Sequence, residues 1–383
     1  MPYQEDFQVE QFMDKYENYA KYNLGETCCY SLSLDEIADI SSSEPFKLDG
    51  KKRLTYGAIK GTDELRSQIA SLYGPEFTKD NVLITNGAIA ANFLTYYSMV
   101  GPEDHVICVH PTYNQLHSVP KMFGAEVVFL KLKEEDGYVP NIKTLKSLIK
   151  SNTKLLIINN PNNPLGTVIS AELLKELCQL CQNHGIYLHS DEVYRPTFHS
   201  LPENTIKPPS ACEIYDRAIV TGSMSKAYSL AGIRLGWIVT KDLQILRTAA
   251  SRRDYNTISV SMLDDSVAQY ALKNVKPIIK RNLELCITNL QILNKFVEEN
   301  SDIFDYVAKP QAGTVCLLRL KTIKEGDKFA AFLAENYSVL SVPGEALGVP
   351  GTLRIGYANS KNDLVDGLPL LKKAVLDWTN KAE

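Results

Sequence analysis

Lys226 lies in the stretch TGSMSKAYSLAGIRLGW (residues 221–237), between Ser225 and Ala227 and eight residues before Arg234. Its neighbours are too small to shield an ammonium and too polar for an ordinary core. Such a lysine is either a solvated loop residue or an amine held in a cleft, with serines and an arginine gripping an anion beside it. Other chemically capable residues follow apolar runs in the same manner. NVLIT leads into Asn86, Gly87 and Ala88, where backbone N–H groups at a helix start would form an anion site. VICV leads to His110, Pro111, Thr112 and Tyr113, which offers an aromatic face, and LLII leads to NNPNNPLG, which contains Asn163. IYLHS leads to Asp191 and, three residues on, Tyr194; RAIVTG leads to Ser223, Ser225 and Lys226. Singly, each has a bland explanation. Asn-Pro pairs make turns, and an Asp after a strand often caps a helix. Together they put an anion hole, an aromatic plate, an amide, a carboxylate, a phenol and a lysine at successive strand ends.

That argument needs the elements to be strands of one sheet. NVLITNG, DHVICVHP, KLLIINNP, IYLHSDEVY and RAIVTGS read as short buried strands. AIAANFLTYYSMV reads as a helix, and so does SAELLKELCQLCQNHG, with Ser170 as N-cap and Gly185 closing it. Alternation of this kind implies right-handed crossovers and a largely parallel sheet covered by helices on both faces. Ligands of such sheets sit beyond the carboxyl ends of the strands. Near residue 270 the pattern changes. A long helical stretch, VKPIIKRNLELCITNLQILNKFVEEN, precedes the strands VCLLRL, YSVLSVPG and TLRIGYA and a last helix, LVDGLPLLKKAVLDW. This reads as a second, smaller α+β domain, with the N-terminal forty or so residues packed against it.

Composition narrows the class. With 383 residues, two domains are expected. Net charge is −4 and no basic block occurs, which argues against nucleic acid as a partner. No apolar run reaches the roughly 20 residues of a membrane span, and the acidic, mixed N-terminus resembles no targeting peptide, so a cytoplasmic protein is expected. The eight cysteines read as reduced structural thiols; Cys178 and Cys181 form a C-x-x-C inside a helical pattern, without a second pair to complete a metal site.

Pyridoxal 5′-phosphate requires each group at the strand ends: its phosphate an anion site, its flat ring a stacking partner, its phenolic oxygen hydrogen-bond donors, its ring nitrogen a carboxylate and its aldehyde an amine. On these residues the chain resembles the fold-type I pyridoxal-phosphate enzymes of the class I/II aminotransferase family over roughly residues 20–375. The resemblance is carried by S-x-S-K with an arginine eight residues later, by N-P-x-N-P-x-G at 160–166, and by D-x-x-Y at Asp191 and Tyr194. It implies an α/β fold: a large domain (43–272) with a mostly parallel seven-stranded sheet in an α/β/α sandwich, a smaller α+β domain (273–383), and an N-terminal segment (1–42) packing on the latter. It implies Lys226 as the Schiff-base lysine, Asp191 as partner of the pyridinium nitrogen, and Asn163 and Tyr194 as donors to the ring oxygen. Tyr113 would stack on the ring. Gly87, Ala88, Ser223, Ser225 and Arg234 would hold the phosphate, with Tyr56 reaching the phosphate of a neighbouring subunit in a homodimer with shared active sites. Leu165 departs from the family, which usually has Thr or Ser there.

The same resemblance assigns Arg354, in GTLRIGYANS, to the substrate α-carboxylate, with Gly25 beside it, and so implies an α-amino acid substrate, joined by a 2-oxo acid where the outcome is transamination. The residue-level alternative for Arg354 is an internal salt bridge. SRRDYNT (251–257) falls where dicarboxylate-specific members carry a distal arginine from the other subunit, close to Arg252; Asp254 pointing inward would instead favour a cationic side chain. RRDYNT, YNLGE and Cys28-Cys29 together resemble the capreomycidine-synthase branch, which implies elimination, replacement or cyclisation on an arginine-like amino acid. Both outcomes would pass through an external aldimine and a quinonoid, and both use Lys226 and Asp191, so the ring residues leave aminotransferase and lyase or cyclase open. Two other classes fit less: a cofactor-binding regulator needs a DNA-binding module for which the chain has no spare residues, and no G-x-G-x-x-G of a dehydrogenase follows any strand.

Overall fold

The computed structural model describes residues 4–382; residues 1–3 of the expected N-terminal segment, and Glu383, lie outside them. Helix α1 (Gln8–Tyr16) and the short strand β1 (Tyr22–Asn23) come first. The large sheet follows, with β2 (Val82–Thr85), α2 (Gly87–Met99), β3 (His105–His110), β4 (Glu126–Lys131), β5 (Thr153–Asn159), α3 (Ala171–His184), β6 (Tyr187–Asp191), β7 (Ala218–Ser223), β8 (Gly236–Thr240) and α4 (Leu243–Arg253). Its order is β2-β8-β7-β6-β5-β3-β4. All neighbouring pairs are parallel except those of β8, which runs against both β2 and β7.

Residues of alternating parity along a strand enter different cores. Val82, Ile84, Ile107, Val109, Leu156 and Ile158 join one cluster, shared with Leu174, Leu177, Cys178 and Cys181 of α3. Val106, Cys108, Leu155 and Ile157 pack on the other face with Tyr96 of α2, and Leu83, Ile219 and Ile238 pack there with Leu94 and α4. Both faces are therefore apolar, as a sheet enclosed by helices requires. Ser170 caps α3 by accepting the Leu173 N–H at 3.2 Å, and Gly185 ends it at φ +68°. All eight cysteines are buried free thiols.

The second sheet is built from β9 (Phe304–Tyr306), β10 (Val315–Leu320), β12 (Val342–Pro343) and β13 (Thr352–Gly356), in the order β12-β13-β10-β9 and antiparallel throughout. It packs with α5 (Val275–Glu299) and α6 (Lys361–Ala382) around a core containing Leu290, Leu293, Leu318, Ile355, Leu364 and Leu371. YSVLSVPG forms two short strands, β11 (Val339–Leu340) and β12, in place of one continuous strand. Tyr22 and Asn23 of β1 pair in parallel with Val339 and Leu340 of β11. Helix α1 buries Val9, Met13 and Tyr16, one stripe at helical spacing, and packs on β12 and the turn after it. It also reaches the large sheet's side: the Tyr113 hydroxyl donates to Glu10 at 3.1 Å.

Candidate active site

A cavity of about 350 Å³ opens between the two sheets, beyond the carboxyl ends of the parallel strands. Its lining includes Gly25, Ala88, Tyr113, Asn163, Asp191, Tyr194, Ser223, Ser225, Lys226, Arg234 and Arg354. The residues singled out at the strand ends thus converge on one space.

The anion end is built from two chain segments that nearly touch. Gly87 begins α2 with φ +80°, a conformation that L side chains avoid. A Cβ there would lie 3.1 Å from an Arg234 terminal nitrogen, so this guanidinium packs against the start of the helix. Gly236, at the start of β8, is tighter. A Cβ there would fall 2.4 Å from the Gly87 carbonyl carbon and 2.5 Å from the Ala88 nitrogen. We expect Gly236→Ala to cost about 1–3 kcal/mol, the usual penalty of overpacking. Gly232→Ala, where no atom lies within 4 Å of the added carbon, should stay within about 0.5 kcal/mol. Urea unfolding of the two variants checks this, and equal midpoints would refute it. The antiparallel course of β8 returns the chain to the edge where β7 ends, so Ser223, Ser225, Lys226 and Arg234 share one connection.

Asp191 ends β6 and is 3% exposed. Its carboxylate accepts the Asn92 amide at 2.9 Å and the Val193 N–H at 3.2 Å. Burial pushes it up to about 6, against the downward pull of those hydrogen bonds and of the Lys226 charge. Asn92 is held in turn by the Thr221 hydroxyl at 2.6 Å, and Thr221 by His189 at 3.1 Å. His189 reaches the Tyr96 hydroxyl at 2.8 Å. This buried chain fixes the carboxylate's orientation through side chains of α2, β6 and β7.

Lys226 Nζ donates to Thr27 Oγ1 at 2.5 Å and to Cys28 Sγ at 3.4 Å. Burial works against its charge, yet Cys28, Tyr194 and Glu26 outweigh that and hold the ammonium above its ordinary pKa. The Glu26 carboxylate accepts the Thr27 and Cys28 N–H groups, at 2.6 and 2.8 Å. Its own burial is overcome by Lys226 and those hydrogen bonds, so its pKa sits below the usual carboxylate value. Tyr194 is fully buried, and burial raises its phenol. Asn163 is oriented by its own backbone: its N–H donates to Asn159 Oδ1 at 2.6 Å. Leu165, the departure from the family pattern, is buried in the large core, and its N–H donates to Asn162 Oδ1 at 3.1 Å.

Arg354, on β13, is 3% exposed. Its contacts are long: 3.5 Å to Asn163 Oδ1 and 3.3 Å to the Gly25 carbonyl. Nε has no partner. Among the described residues no carboxylate lies within ion-pair distance of it, so the internal salt bridge weighed above is not what this arginine makes. Burial lowers its pKa, against the opposing pull of Tyr194, Glu10, Tyr113 and Glu26.

Four residues singled out from the sequence do not line this cavity: Gly87, which precedes the lining residue Ala88 at the start of α2, and Tyr56, Arg252 and Asp254. Tyr56 is 67% exposed, in the segment before the helix Asp63–Ala70. Arg252 is exposed and lies over the Tyr97 ring, 5.7 Å from its centroid, in a separate groove. Asp254 is exposed at the end of α4. Between them, Arg253 turns inward and donates to the Ile84 and Ile59 carbonyls. Conversely, the cavity is lined by Glu10, Glu17, Glu26, Thr27 and Asn92, which sequence reasoning missed. Asn92 left one signal, a carboxamide inside the otherwise apolar run AIAANFL; the others lie in a segment with no strand-end context.

The family model described as aminotransferase class I and II matches residues 23–368. A crystal structure of a PLP-dependent aminotransferase from Streptococcus suis 89-1591 is 35% identical, covers 98% of this chain and 98% of its own, and superposes with a TM-score of 0.91. A probable aspartate/prephenate aminotransferase of Aquifex aeolicus is 29% identical over 336 residues, 85% of this chain and 84% of its own length. Capreomycidine synthase of Streptomyces vinaceus is 28% identical over 320 residues, 83% of this chain and 80% of its own. The match spans both sheets and every segment that lines the cavity from Gly25 to Arg354. The chain belongs to the class I and II aminotransferases, pyridoxal-phosphate enzymes of fold type I.

Proposed function

We propose that this enzyme moves the amino group of an α-amino acid to a 2-oxo acid, with Lys226 as the group that anchors the cofactor and moves the substrate proton. The donor set fits pyridoxal phosphate. Gly87, Ala88, Ser223, Ser225 and Arg234 offer N–H, hydroxyl and guanidinium donors for a phosphate. Arg234 can meet it with two parallel hydrogen bonds. Asp191 is a buried carboxylate with no cation hydrogen-bonded to it, as a protonated ring nitrogen would require. Asn163 and Tyr194 would donate to the ring oxygen, and Tyr113 would cover the ring. When bound, the cofactor supplies an electron sink for the pair left as a Cα–H bond breaks. The protein's part is positional and electrostatic. Asp191 keeps a proton on the ring nitrogen, Lys226 Nζ carries a proton from and to carbon, and Arg354 holds the α-carboxylate so that the hydrogen faces Lys226.

The observation that carries the reading is Arg354, a buried guanidinium that makes no ion pair among the described residues and lines the cavity of Lys226 and Asp191. Arg354→Ala should raise KM for every amino acid tried by about 10- to 100-fold, the worth of a hydrogen bond to a charged group. Steady-state kinetics over acidic, neutral and basic amino acids decides. An effect confined to one side-chain class would remove Arg354 from the carboxylate.

The reading extends to a cytoplasmic homodimer, supported by eight free thiols and by the exposed apolar side chains Leu54, Tyr56, Tyr255 and Ile258. In that dimer Tyr56, Arg252 and Asp254 would serve the partner's site, which accounts for their lying outside this chain's own cavity. The proposed division is an N-terminal segment 1–42, a cofactor domain 43–272 and a small domain 273–383. A second reading, β-elimination, replacement or cyclisation, is favoured by the likeness to capreomycidine synthase. Product analysis with and without 2-oxoglutarate separates the two, because sustained transamination needs the acceptor and releases no ammonia.

A further inference from the structure

The cavity contains more negative charge than the proposed reaction uses. Its cations are Lys226, Arg234 and Arg354; its carboxylates are Asp191, Glu10, Glu17 and Glu26. In the reading above, which this inference rests on, Lys226 anchors the cofactor, Arg234 meets the phosphate, Arg354 takes the α-carboxylate and Asp191 faces the ring nitrogen. Three glutamates are left over.

All three come from the N-terminal segment. Glu10 and Glu17 are seven residues apart, two turns on one face of α1 and its continuation, with cavity-lining Met13 between them. Among the described residues none of the three makes an ion pair with Lys, Arg or His. Glu10 accepts the Tyr113 hydroxyl at 3.1 Å. Glu26 spends one oxygen on two backbone N–H groups. Glu10 and Glu17 line the cavity as exposed residues; the Glu17 carboxylate has no hydrogen-bond partner among the described residues, and partial burial, then Glu26, Glu10 and Asp14, raises its pKa against the pull of Lys226. Three carboxylates gathered at one wall without an ion-pair partner favour a cation that enters between them. A neutral side chain would leave them unpaired. A second carboxylate would be repelled by them, and among the described residues no unassigned cation lines the cavity to receive it. The wall is part of a built ligand site: Arg354, 3% exposed and unpartnered at Nε, lines the same cavity.

We infer that the amino acid substrate carries a cationic side chain, a guanidinium or an ammonium, and that Glu10, Glu17 and Glu26 receive it. This separates two tasks within one cleft. Arg354 recognises what all amino acids share, and the N-terminal glutamates recognise what distinguishes this one.

The test uses the full-length holoenzyme with L-arginine, L-ornithine, L-lysine, L-leucine and L-aspartate. Binding is read from the absorbance change of the bound cofactor, turnover with 2-oxoglutarate as acceptor, and non-reactive binding from the thermal shift of borohydride-reduced enzyme. At least one basic amino acid should show kcat/KM about 10- to 100-fold above leucine, and aspartate should be poorest. Arginine against ornithine and lysine tells guanidinium from ammonium. Glu17→Gln and Glu10→Gln should each lower the basic-to-leucine ratio about tenfold through KM, and Glu17→Lys should move aspartate above the basic amino acids. Preference for leucine or aspartate in the unaltered enzyme overturns the inference and leaves the aminotransferase reading standing. So does a ratio unmoved by both glutamine variants. If no amino acid changes the absorbance or yields product, the aminotransferase reading falls and this inference with it.

Discussion

Lys226→Ala is expected to reduce turnover by at least about four orders of magnitude, the upper range for loss of a general acid–base. Among the described residues no second amine lines the cavity, whose other cations are the guanidinium groups of Arg234 and Arg354. Guanidinium groups stay protonated at any working pH, so neither can take a proton from carbon. The hydroxyl of Thr27 and the thiol of Cys28, which receive the Lys226 hydrogen bonds, are no substitute: burial pushes the Cys28 thiol up to about 12. The anion end does not depend on Nζ. The variant should therefore still bind pyridoxal phosphate, yet borohydride should no longer fix it to the chain, whereas in the unaltered enzyme peptide mapping should find it on Lys226. Single-turnover rates within tenfold of the parent, or label on another lysine, would remove Lys226 from the mechanism.

Asp191→Asn should slow the reaction by about two to four orders of magnitude, the scale for a group whose interaction strengthens in the transition state. An amide cannot hold a proton on the ring nitrogen, so the electron sink weakens. The apoprotein should respond in the opposite sense. A carboxyl raised from 3.8 to about 6 in the folded state binds more protons folded than unfolded between those values. Stability contributed by the protonated form is present below 3.8, falls as pH rises towards 6, and is gone above it. The penalty above pH 6 is about 3 kcal/mol, at 1.36 kcal/mol per pKa unit. Asparagine escapes it but has one acceptor for two donors, the Asn92 amide and the Val193 N–H, which returns about 1 kcal/mol. The variant apoprotein should thus be about 1–2 kcal/mol more stable than the parent at pH 8 and no more stable near pH 4. Urea unfolding at the two pH values checks this. An activity loss with no pH-dependent gain in stability would mean that Asp191 is not ionised at a cost in the free protein.

Much of the cofactor end was legible because the physics there is local. A buried strand that stops at a polar residue delivers it to the sheet edge, so Asn163, Asp191 and Lys226 could be placed from apolar runs alone. Two strands escaped that reasoning. EVVFLK (β4) is an edge strand with a half-exposed face, and GWIVT (β8) runs antiparallel directly after the loop that contains Arg234. The acidic wall was illegible for another reason. Glu10 and Glu17 lie on the polar face of an amphipathic helix, where glutamates normally meet only water. They become site residues because the stripe of Val9, Met13 and Tyr16 docks α1 over the cavity, and no local pattern tells where a helix docks. The SRRDYNT segment shows the converse. Arg253 is taken up by the Ile59 and Ile84 carbonyls, which turns Arg252 and Asp254 outward in this chain.

The pairing of β1 with β11 sets the order in which the site is completed as the chain leaves the ribosome. Ser223, Ser225, Lys226 and Arg234 are neighbours in sequence and need only the β7–β8 hairpin and the preceding strands. Such short-range contacts close quickly, whereas contacts of large sequence separation carry a greater loop-closure cost. Tyr22 and Asn23 are made early but find their sheet partners only when Val339 and Leu340 appear, and Gly25 waits for Arg354. The segment from Ser223 to Arg234 is thus complete in a nascent chain some hundred residues before β11 and Arg354 exist, and a polypeptide stalled between them has one wall of the cavity and lacks the other.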